Sequence, residues 1–419
     1  MLNRTVSPGT LFARHAETQV RAALEDTRII AIVGPRQSGK TTLARRIAVD
    51  DGRPFITLDD EQFRRFAEDD PNGFVRSQPV AVIDEIQRAP ALILALKKAV
   101  DEAPHPGRYL ITGSVDLFRG ALSPDSLAGR VDTIELLPFS QAEVAGAGVP
   151  EFLDRAFADD FPNLALTGPT DDLIERVISG GFPEALSRTV PSRRRRWLRA
   201  YARALAERDV PEISTVGRHV EMSRLIDHAA VASGQLLNLS ALGSRLAIDG
   251  KTVDRWLTLL EHMFLVRRIR AWHRNRLKRL VRTPKLHFLD SGLLAALQGT
   301  GPADIARDRG KLGPLLECFV HAEIAKAIAL SDETTAVTHY RDKDRLEVDL
   351  VLERSPNQVV GIEVKAGGTV RPEDFRGLMR LARATGDRFA CGIVLHDGDR
   401  IQRTGPGLFA MPVKMLWAS

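Results

Sequence analysis

Residues 34 to 41 read Gly-Pro-Arg-Gln-Ser-Gly-Lys-Thr, which fits the pattern G-x-x-x-x-G-K-[ST] at every position. The apolar run at residues 29–33 precedes this stretch, and residues 42–48 have the composition of a helix. A strand, a glycine-containing loop and a helix in this order let backbone N–H groups close around phosphate oxygens. The stretch therefore predicts a phosphate-binding loop for a nucleoside triphosphate rather than a Gly/Ser turn beside a solvated lysine.

The loop residues have expected roles that follow from their chemistry. We expect Lys40 to reach the β- and γ-phosphates and the Thr41 hydroxyl to bind Mg²⁺, which makes ATP and Mg²⁺ the expected cofactors. The residues expected to contact the nucleotide are Gly34, Pro35, Arg36, Gln37, Ser38, Gly39, Lys40, Thr41 and Thr42.

Length and composition limit the classes of protein to consider. A chain of 419 residues exceeds one ordinary core, so two or three domains are expected. With 44% hydrophobic and 27% charged residues it has a soluble, globular composition, and no apolar run is long enough to cross a membrane. The first 30 residues lack a signal peptide's apolar segment, and the two cysteines, Cys318 and Cys391, form no metal-type cluster. These features predict a cytoplasmic protein.

Apolar runs and helical patterns alternate in the first third of the chain. Strands are expected at residues 28–33, 55–58, 80–85, 108–113 and 131–136, with a helix near residues 91–100. Runs of this kind are typical of a buried parallel sheet covered by helices. The fold class predicted for this part is α/β.

Polar residues at the ends of these strands complete a hydrolytic site. Asp84 would hold Mg²⁺, and Glu85 would deprotonate the attacking water. Thr112 or Ser114, at the end of the fourth expected strand, can contact the γ-phosphate or the water. Arg130 comes just before the fifth strand and either reaches a neighbouring subunit's nucleotide or forms a surface salt bridge.

The segments GPRQSGKTT, VAVIDEIQRAP, YLITGSVDLF and SLAGRVDTIELLPFS resemble those of a large prokaryotic family of AAA+ ATPases that carries a C-terminal domain of uncharacterised function. The segments at residues 180–184, 207–209 and 288–294 also fit, so the resemblance covers nearly the whole chain. It implies a homo-oligomer in which Arg130 is an arginine finger. It also implies that Gly181, Phe182 and Pro183 lie near the nucleotide base.

The motifs divide the chain more finely than its length alone does, into four expected parts. They are an AAA+ ATPase core at residues 1–150, a helical lid or linker at 151–217, a winged helix at 218–283, and a nuclease-like α+β domain at 284–419.

Three helical patterns follow one another closely in the third of these domains. They begin near Met222, Asn238 and Lys251, with a short Asp249-Gly250 turn before the last. This is the layout of a helix-turn-helix, whose last helix enters the major groove by its first turn. Two extended segments with a basic stretch between them follow, as in a wing. Protein docking is the alternative, and Asp254 within the expected recognition face favours it. The residues expected to contact DNA are Lys251, Thr252, Arg255, Arg274, Arg276, Lys278 and Arg279.

Acidic residues and a lysine near the end of the chain fit a nuclease pattern. Asp349 lies on one expected strand, and Glu363 and Lys365 lie on its antiparallel partner, where alternation places them on one face. The PD-(D/E)xK nucleases arrange two carboxylates around Mg²⁺ and use a lysine to help activate water. Glu317, on the preceding helix, is a further expected ligand. A surface hairpin with an ion pair, and a nuclease fold that no longer cuts, are the alternatives.

Two functions are consistent with these patterns. The first is an ATP-hydrolysing protein that binds and remodels branched or duplex DNA, including branch migration, and whose C-terminal domain either binds or cuts the DNA. The second is a nucleotide-dependent signalling switch that docks protein partners and has a silent nuclease fold.

Overall fold

The computed structural model describes residues 12–114, 127, 129–168, 170–209, 219–274, 279, 283–354 and 358–418. The chain divides into two compact units. The N-terminal unit is Phe12–Phe139 with Leu260–Leu265, and the C-terminal unit includes Ser140–Leu259 and Val266–Ser419. Within the described ranges, every helix is too short or too polar to cross a bilayer.

The N-terminal unit alternates short strands with helices along the chain. Its elements are α1 (Ala16–Asp26), β1 (Ile29–Val33), α2 (Lys40–Asp50), β2 (Phe55–Thr57), α3 (Glu61–Asp69), α4 (Pro71–Ser77), β3 (Ala81–Asp84), α5 (Leu92–Glu102), β4 (Tyr109–Gly113) and β5 (Val131–Glu135). The apolar runs became strands because a parallel sheet covered by helices buries both faces of its central members. All residues of β1, β3 and β4 are buried accordingly. The predicted α/β class is confirmed.

The five strands form one parallel sheet in the order β2-β3-β4-β1-β5. Strand β4 therefore lies between β1, which precedes the phosphate loop, and β3, which ends in the acidic pair. Because the strands are parallel, Val33, Asp84 and Gly113 all lie at the carboxyl edge of the sheet. The sheet thus brings together three segments that are far apart in sequence.

From residue 140 onward the chain is first mainly helical and then mixed. The elements are α6 (Gln141–Ala145), α7 (Phe152–Ala158), β6 (Leu164–Leu166), α8 (Leu173–Ser179), α9 (Pro183–Leu186), α10 (Pro191–Ala204), α11 (His219–Val231), α12 (Leu239–Leu246), α13 (Gly250–His262), β7 (Val266–Ile269), β8 (Lys285–Phe288), α14 (Ser291–Gln298), α15 (Pro302–Arg307), α16 (Leu312–Ala329), β9 (Thr335–Arg341), β10 (Glu347–Arg354), β11 (Gln358–Lys365), α17 (Arg376–Thr385), β12 (Phe389–His396), β13 (Arg400–Gly405) and β14 (Leu408–Pro412).

A seven-stranded mixed sheet forms the framework of the C-terminal unit, in the order β6-β13-β14-β12-β11-β10-β9. Strand β10 is antiparallel to both of its neighbours, β9 and β11, as predicted for the Asp349 and Glu363 strands. Helix α17 packs on the sheet through Leu378 and Leu381, which share a buried cluster with Val348 and Val351. The short strand β6 is the edge of this sheet and comes from the segment expected to be a helical linker.

The helices α11, α12 and α13 are followed along the chain by the antiparallel pair β7–β8, and the winged helix expected here stays a prediction. Asn238 begins α12 by accepting a hydrogen bond from the Ala241 N–H at 2.9 Å. Asp249 begins α13 in the same way, by accepting from the Thr252 N–H at 2.9 Å. Such side-chain caps satisfy N–H groups that the first helical turn leaves unpaired. Strand β8 also forms a bridge from Lys285 to Leu236.

Candidate functional site

The phosphate loop joins β1 to α2 and depends on two glycines. A Cβ on Gly34 would lie 2.3 Å from the Leu136 carbonyl oxygen, so a larger residue cannot occupy this position. Gly39 has φ of 98°, a left-handed conformation that side chains disfavour, and it starts α2 at Lys40. The loop can therefore take its tight course only with glycine at both positions.

Lys40 is buried inside this loop. Its Nζ donates to the carbonyl oxygens of Gly34 at 3.0 Å and Pro35 at 2.8 Å. Burial lowers the pKa of Lys40 to about 8, although the nearby Glu85 and Asp84 carboxylates act in the opposite direction. The ammonium group is thus held at the loop by weak acceptors that phosphate oxygens can replace.

Asp84, at the end of β3, accepts hydrogen bonds from three hydroxyl groups. Thr112 Oγ1 donates to Asp84 Oδ1 at 2.6 Å, Thr41 Oγ1 donates to the same oxygen at 2.9 Å, and Thr57 Oγ1 donates to Oδ2 at 3.3 Å. The Thr41–Asp84 contact is the pairing that a shared Mg²⁺ site requires. The sheet order therefore places the two expected metal-binding residues side by side.

Glu85 follows directly in a left-handed conformation, with φ of 60° and ψ of 47°. Such a backbone is costly for a non-glycine residue and is often found where a side chain must be aimed at a reaction centre. The Glu85 N–H donates to Thr112 Oγ1 at 3.1 Å. Gln87, which the sequence did not single out, donates to the Glu85 carboxylate and to Ser114 Oγ, the latter at 3.0 Å.

The two candidate hydroxyls on β4 thus have different surroundings. The Thr112 hydroxyl forms hydrogen bonds with the Asp84 carboxylate and with the Glu85 N–H. Ser114 instead accepts a hydrogen bond from the Gln87 amide, which also donates to Glu85. No signal in the sequence could separate them, because both lie at the end of the same strand.

Arg130 is held within its own unit. Its guanidinium forms an ion pair with Asp101, and Arg28 approaches the same carboxylate at 3.8 Å. The Asp101 hydrogen bond raises the pKa of Arg130, and Arg130 lowers the pKa of Asp101. Part of the segment expected to precede Arg130, residues 126 and 128, lies outside the described residues. The salt bridge that the sequence left as an alternative is present.

Arg14 is a further residue that the sequence did not single out. It donates to the Ser38 carbonyl oxygen of the phosphate loop and to the Leu137 carbonyl oxygen, both at 2.7 Å. Its guanidinium also lies over the Phe139 ring, 4.6 Å from the centroid. Arg14 thereby connects the loop to the chain beyond β5, by contacts that local sequence patterns do not encode.

Gly181 and Pro183, expected near the nucleotide base, belong to the C-terminal unit. The Gly181 N–H donates to Asp290 Oδ2 at 2.7 Å, and Pro183 is the first residue of α9. Asp290 also begins α14 by accepting from the Leu293 N–H at 2.8 Å. Burial raises the pKa of Asp290. Within this unit, the Gly181 N–H therefore has a structural partner.

The first two turns of α13 expose two basic side chains. Lys251 and Arg255 are exposed, as expected for residues that contact DNA, while Val253 and Trp256 are buried. Asp254 forms an ion pair with Arg268 on β7, so its negative charge is compensated within the protein. The expected contact residue Thr252 donates its hydroxyl to Asp249 at 2.7 Å and serves the start of the helix.

The basic stretch between β7 and β8 is partly described. Arg274 is exposed, and Arg276 and Lys278 lie outside the described residues. Arg279, also expected to contact DNA, instead donates to Glu353 at 2.7 Å and to the His273 carbonyl oxygen at 2.8 Å. Its side chain is mostly buried, because the partner carboxylate is an inward-facing residue of β10.

The structure brings the nuclease-like residues together, as the strand pattern predicted. Asp349 Oδ2 accepts the Val364 N–H at 3.0 Å, which joins β10 to β11 beside Glu363 and Lys365. Lys365 Nζ donates to Glu363 Oε1 at 2.9 Å. Burial, and then the Asp349 charge, raise the pKa of Glu363 to about 8 and that of Glu317 to about 7.

A second lysine, which the sequence did not single out, lies in the middle of this cluster. Lys285 Nζ is 3.1 Å from Glu317 Oε1, 3.2 Å from Asp349 Oδ1 and 3.8 Å from Glu347 Oε2. Its side chain is only 5% exposed. Burial acts to lower the pKa of Lys285, but Asp349 and Glu317 raise it above its ordinary value.

This arrangement does not fit the Mg²⁺ site expected at Glu317, Asp349 and Glu363. Among the described residues, no group of three or more His, Cys, Asp or Glu side chains is placed to hold a metal ion. The ammonium group of Lys285 contacts two of the three expected ligands. A metal ion would have to displace it.

Three stretches of the chain match known families. Residues 26–145 match the family described as AAA domain. They contain the phosphate loop, the acidic pair and the β4 hydroxyls. Residues 26–145 are an AAA domain. The protein therefore carries an ATPase of the AAA/P-loop class. Residues 170–304 match a domain of unknown function, DUF8612, and residues 312–416 match another, DUF4143.

Similarity to other proteins extends well beyond the AAA domain. The uncharacterized proteins Rv2008c of Mycobacterium tuberculosis and Mb2031c of Mycobacterium bovis are each 29% identical over 359 residues, which is 85% of this chain and 74% of theirs. Among solved structures, the Walker-type ATPase PABY2304 of Pyrococcus abyssi aligns with 71% of this chain and 100% of its own, at 17% identity and a TM-score of 0.42. The Thermotoga maritima RuvB Holliday junction branch migration motor aligns with 63% of this chain and 93% of its own, at 17% identity and a TM-score of 0.30.

The AAA domain has the residues that a nucleotide with Mg²⁺ requires. Ser38 Oγ in the loop is buried and, among the described residues, has no hydrogen-bond partner. Lys40 is bound to loop carbonyls, and the Thr41 hydroxyl touches Asp84. A buried hydroxyl without a partner is costly, and a phosphate oxygen would satisfy it. The geometry of the AAA domain thus fits the expected cofactors.

Proposed function

We propose that the protein is an Mg²⁺-dependent ATPase that binds duplex or branched DNA and uses hydrolysis to remodel it, including branch migration. The observation that carries the DNA part of this proposal is a pair of exposed basic side chains in the first two turns of α13, Lys251 and Arg255. The ATPase part rests on the AAA domain.

The hydrolytic roles follow from the geometry of the AAA domain. Thr41 and Asp84 would hold Mg²⁺, which when bound neutralises charge on the phosphates. Lys40 binds phosphate oxygens and Ser38 supplies a hydroxyl. Glu85 takes the proton of the attacking water, and Thr112 keeps the Glu85 backbone in place. Arg130 acts on a neighbouring subunit's nucleotide in a homo-oligomer, after it leaves Asp101.

DNA binding is supported by the charge of the surface around α13. A basic side chain near the N-terminal end of a recognition helix contacts phosphates or base edges in the major groove. The ion pair from Asp254 to Arg268 removes the main electrostatic objection, since the acidic residue on this face is compensated. Arg274, in the β7–β8 connection, is a further exposed basic residue of this part of the chain.

The proposed function does not include DNA cleavage, because Lys285 contacts the carboxylates that would hold the metal ion. The four nuclease-like residues are close together, but the lysine contacts Glu317 and Asp349, which a nuclease would use to hold metal. We propose that the C-terminal domain contributes to gripping DNA.

The test measures turnover and strand separation in one reaction. The full chain is incubated with an end-labelled four-way DNA junction, Mg²⁺ and ATP, and the products are resolved on native and denaturing gels while phosphate release is followed. We expect DNA to raise turnover several-fold and intact strands to separate only with ATP. Glu85→Gln should still bind ATP but hydrolyse it about 10²- to 10⁴-fold more slowly, as for loss of a general base.

A matched pair of double variants tests the DNA surface. Lys251→Ala with Arg255→Ala should weaken DNA binding and reduce its log–log salt slope by about two, since each phosphate contact contributes about one. Arg65→Ala with Lys98→Ala removes two exposed charges from the N-terminal unit and should leave the slope unchanged. Turnover that is indifferent to every DNA tested would count against the proposal.

The second candidate is a nucleotide-dependent switch that docks protein partners and whose nuclease-like domain does not cut. Lys285 favours this function because it contacts Glu317, one of the expected metal ligands. It predicts slow turnover, tightly retained nucleotide, a stable protein partner and no response to DNA.

A further inference from the structure

We infer that Lys285 is a built-in cation that replaces a divalent metal ion in the carboxylate cluster of Glu317, Glu347 and Asp349. In consequence, the cluster binds no metal while Lys285 is present, and removal of the lysine uncovers a metal site. The inference does not depend on whether the protein acts on DNA, because it concerns the occupancy of the cluster alone.

The contacts of Lys285 Nζ match what an ammonium group requires. An ammonium has three N–H donors. Two are used by Glu317 at 3.1 Å and Asp349 at 3.2 Å, and Glu347 is 3.8 Å away on the remaining side. These are ordinary ion-pair distances. Mg²⁺ would bind oxygen at about 2.0–2.1 Å and would require near-octahedral geometry, so it cannot share this space with the lysine.

The other sides of the same carboxylates are occupied by protein donors. Asp349 Oδ2 accepts the Val364 N–H at 3.0 Å, and Glu347 Oε1 pairs with Arg341 at 3.0 Å. Each of these two β10 carboxylates therefore has one oxygen bound by a neighbouring strand, β11 or β9, and the other oxygen near Lys285. A cluster with one central cation and satisfied outer oxygens is the arrangement that allows acidic groups to be buried.

The backbone contacts of Lys285 keep its ammonium group at the carboxylate cluster. Lys285 is the first residue of β8, where it pairs with Ile269 of β7 and forms a bridge to Leu236. Its main chain is thus held on both sides, and its side chain crosses from the β7–β8 pair to β10 and α16. The ammonium is covalently attached and always present, so it competes with dissolved metal at a high effective concentration.

A surface hairpin with an incidental ion pair would look different. It would expose the lysine, whereas the Lys285 side chain is 5% exposed and Asp349 is 14% exposed. The neighbouring His287 is fully buried and lies 3.6 Å from Glu317 Oε1, which further closes the cluster from solvent.

The experiment is a Mn²⁺ titration of the nucleotide-free full chain, followed by electron paramagnetic resonance. All proteins carry Asp84→Asn, which removes the metal-binding carboxylate of the AAA domain. With Lys285 present we expect no bound Mn²⁺ that depends on Asp349. Lys285→Met should gain one bound Mn²⁺ per chain that the parent lacks, and adding Glu317→Gln should abolish that gain. Lys285→Arg, which keeps the charge, should gain none.

Thermal unfolding gives a second measurement. Mn²⁺ should raise the Tm of the Lys285→Met protein and leave that of the parent unchanged. Two results would overturn the inference: a parent protein that binds Mn²⁺ and loses it on Asp349→Asn, or a folded Lys285→Met protein that binds none. If Lys285→Met does not fold, Lys285→Gln replaces it, and the parent titration with and without Asp349→Asn still decides.

Discussion

The two hydroxyls at the end of β4 have unequal importance, and the difference can be tested. Thr112 joins Asp84 to the Glu85 backbone by hydrogen bonds of 2.6 and 3.1 Å, whereas Ser114 contacts the Gln87 amide. Removing the Thr112 hydroxyl leaves a buried N–H without its partner, which costs about 1–3 kcal/mol.

We expect Thr112→Val to lower ATP turnover about 5- to 150-fold, the kinetic equivalent of that cost. Ser114→Ala should lower it by less than about fivefold, because water can replace the serine at the Gln87 amide. Steady-state phosphate release with saturating ATP checks the prediction. Equal losses in the two variants would contradict it.

The buried Lys40 gives nucleotide binding a characteristic pH dependence. Burial lowers its pKa to about 8 in the free protein, and phosphate binds the protonated form. As the pH rises through 8, the free protein loses the proton and must regain it in order to bind. The apparent Kd should therefore be flat below pH 7.5, rise about fivefold between pH 8 and 9, and approach tenfold per unit above that.

Titration with a fluorescent ATP analogue from pH 6.5 to 9.5 measures this dependence. Lys40→Arg is the control, since arginine keeps its charge over the whole range. The arginine variant can bind more weakly, but its Kd should be independent of pH. Parallel profiles for the two proteins would show that another group titrates.

Residues fixed by local motifs could be predicted from the sequence, and residues fixed by the fold could not. Lys40 and Thr41 were predictable because they belong to a continuous motif of eight residues, 34–41. Lys285 was not, since its partners Glu317 and Asp349 lie 32 and 64 positions away. The same applies to Arg279, which was expected on the surface. Its partner Glu353 lies 74 positions later, and the contact between them keeps the Arg279 side chain mostly buried.

At the level of elements, the apolar runs predicted the strands of the parallel sheet. All five strands lie where their apolar runs predicted, within one or two residues. The caps were less clear from the sequence: Asp249 was expected only as part of a turn, but it caps α13 as Asn238 caps α12. Strand β6 was missed because three residues within a helical region show no period, and their pairing with β13 is determined by distant residues.

For the whole molecule, the resemblance predicts that hydrolysis depends on a neighbouring subunit. Arg130 is paired with Asp101 in its own chain, so it must exchange this partner before it can act on another chain. We expect Arg130→Ala to lower turnover at least about 10²-fold, in keeping with the effect of arginine fingers. Asp101→Ala, which releases Arg130, should retain turnover.

Mixing two inactive variants separates this role from a structural one. Lys40→Ala cannot bind nucleotide but supplies Arg130, and Arg130→Ala binds nucleotide but lacks the arginine. Turnover should recover when the two are mixed and allowed to exchange subunits. Native mass spectrometry establishes whether the mixture contains mixed oligomers. If it does and turnover does not recover, Arg130 does not act on a neighbouring subunit's nucleotide.

The pairing of β6 with β13 affects how this protein is made in the cell. Thr167, just after β6, donates its hydroxyl to the Asp399 carbonyl oxygen, 232 positions later. At about 5–20 residues per second, a ribosome would need roughly 10–50 s to produce that partner after Thr167 has been added. Until then the nascent chain carries Leu164 and Leu166 on an unpaired strand. The sheet can therefore gain this edge strand only after β13 has been synthesised, and a chain that stops before β13 keeps Leu164 and Leu166 on a strand without its partner.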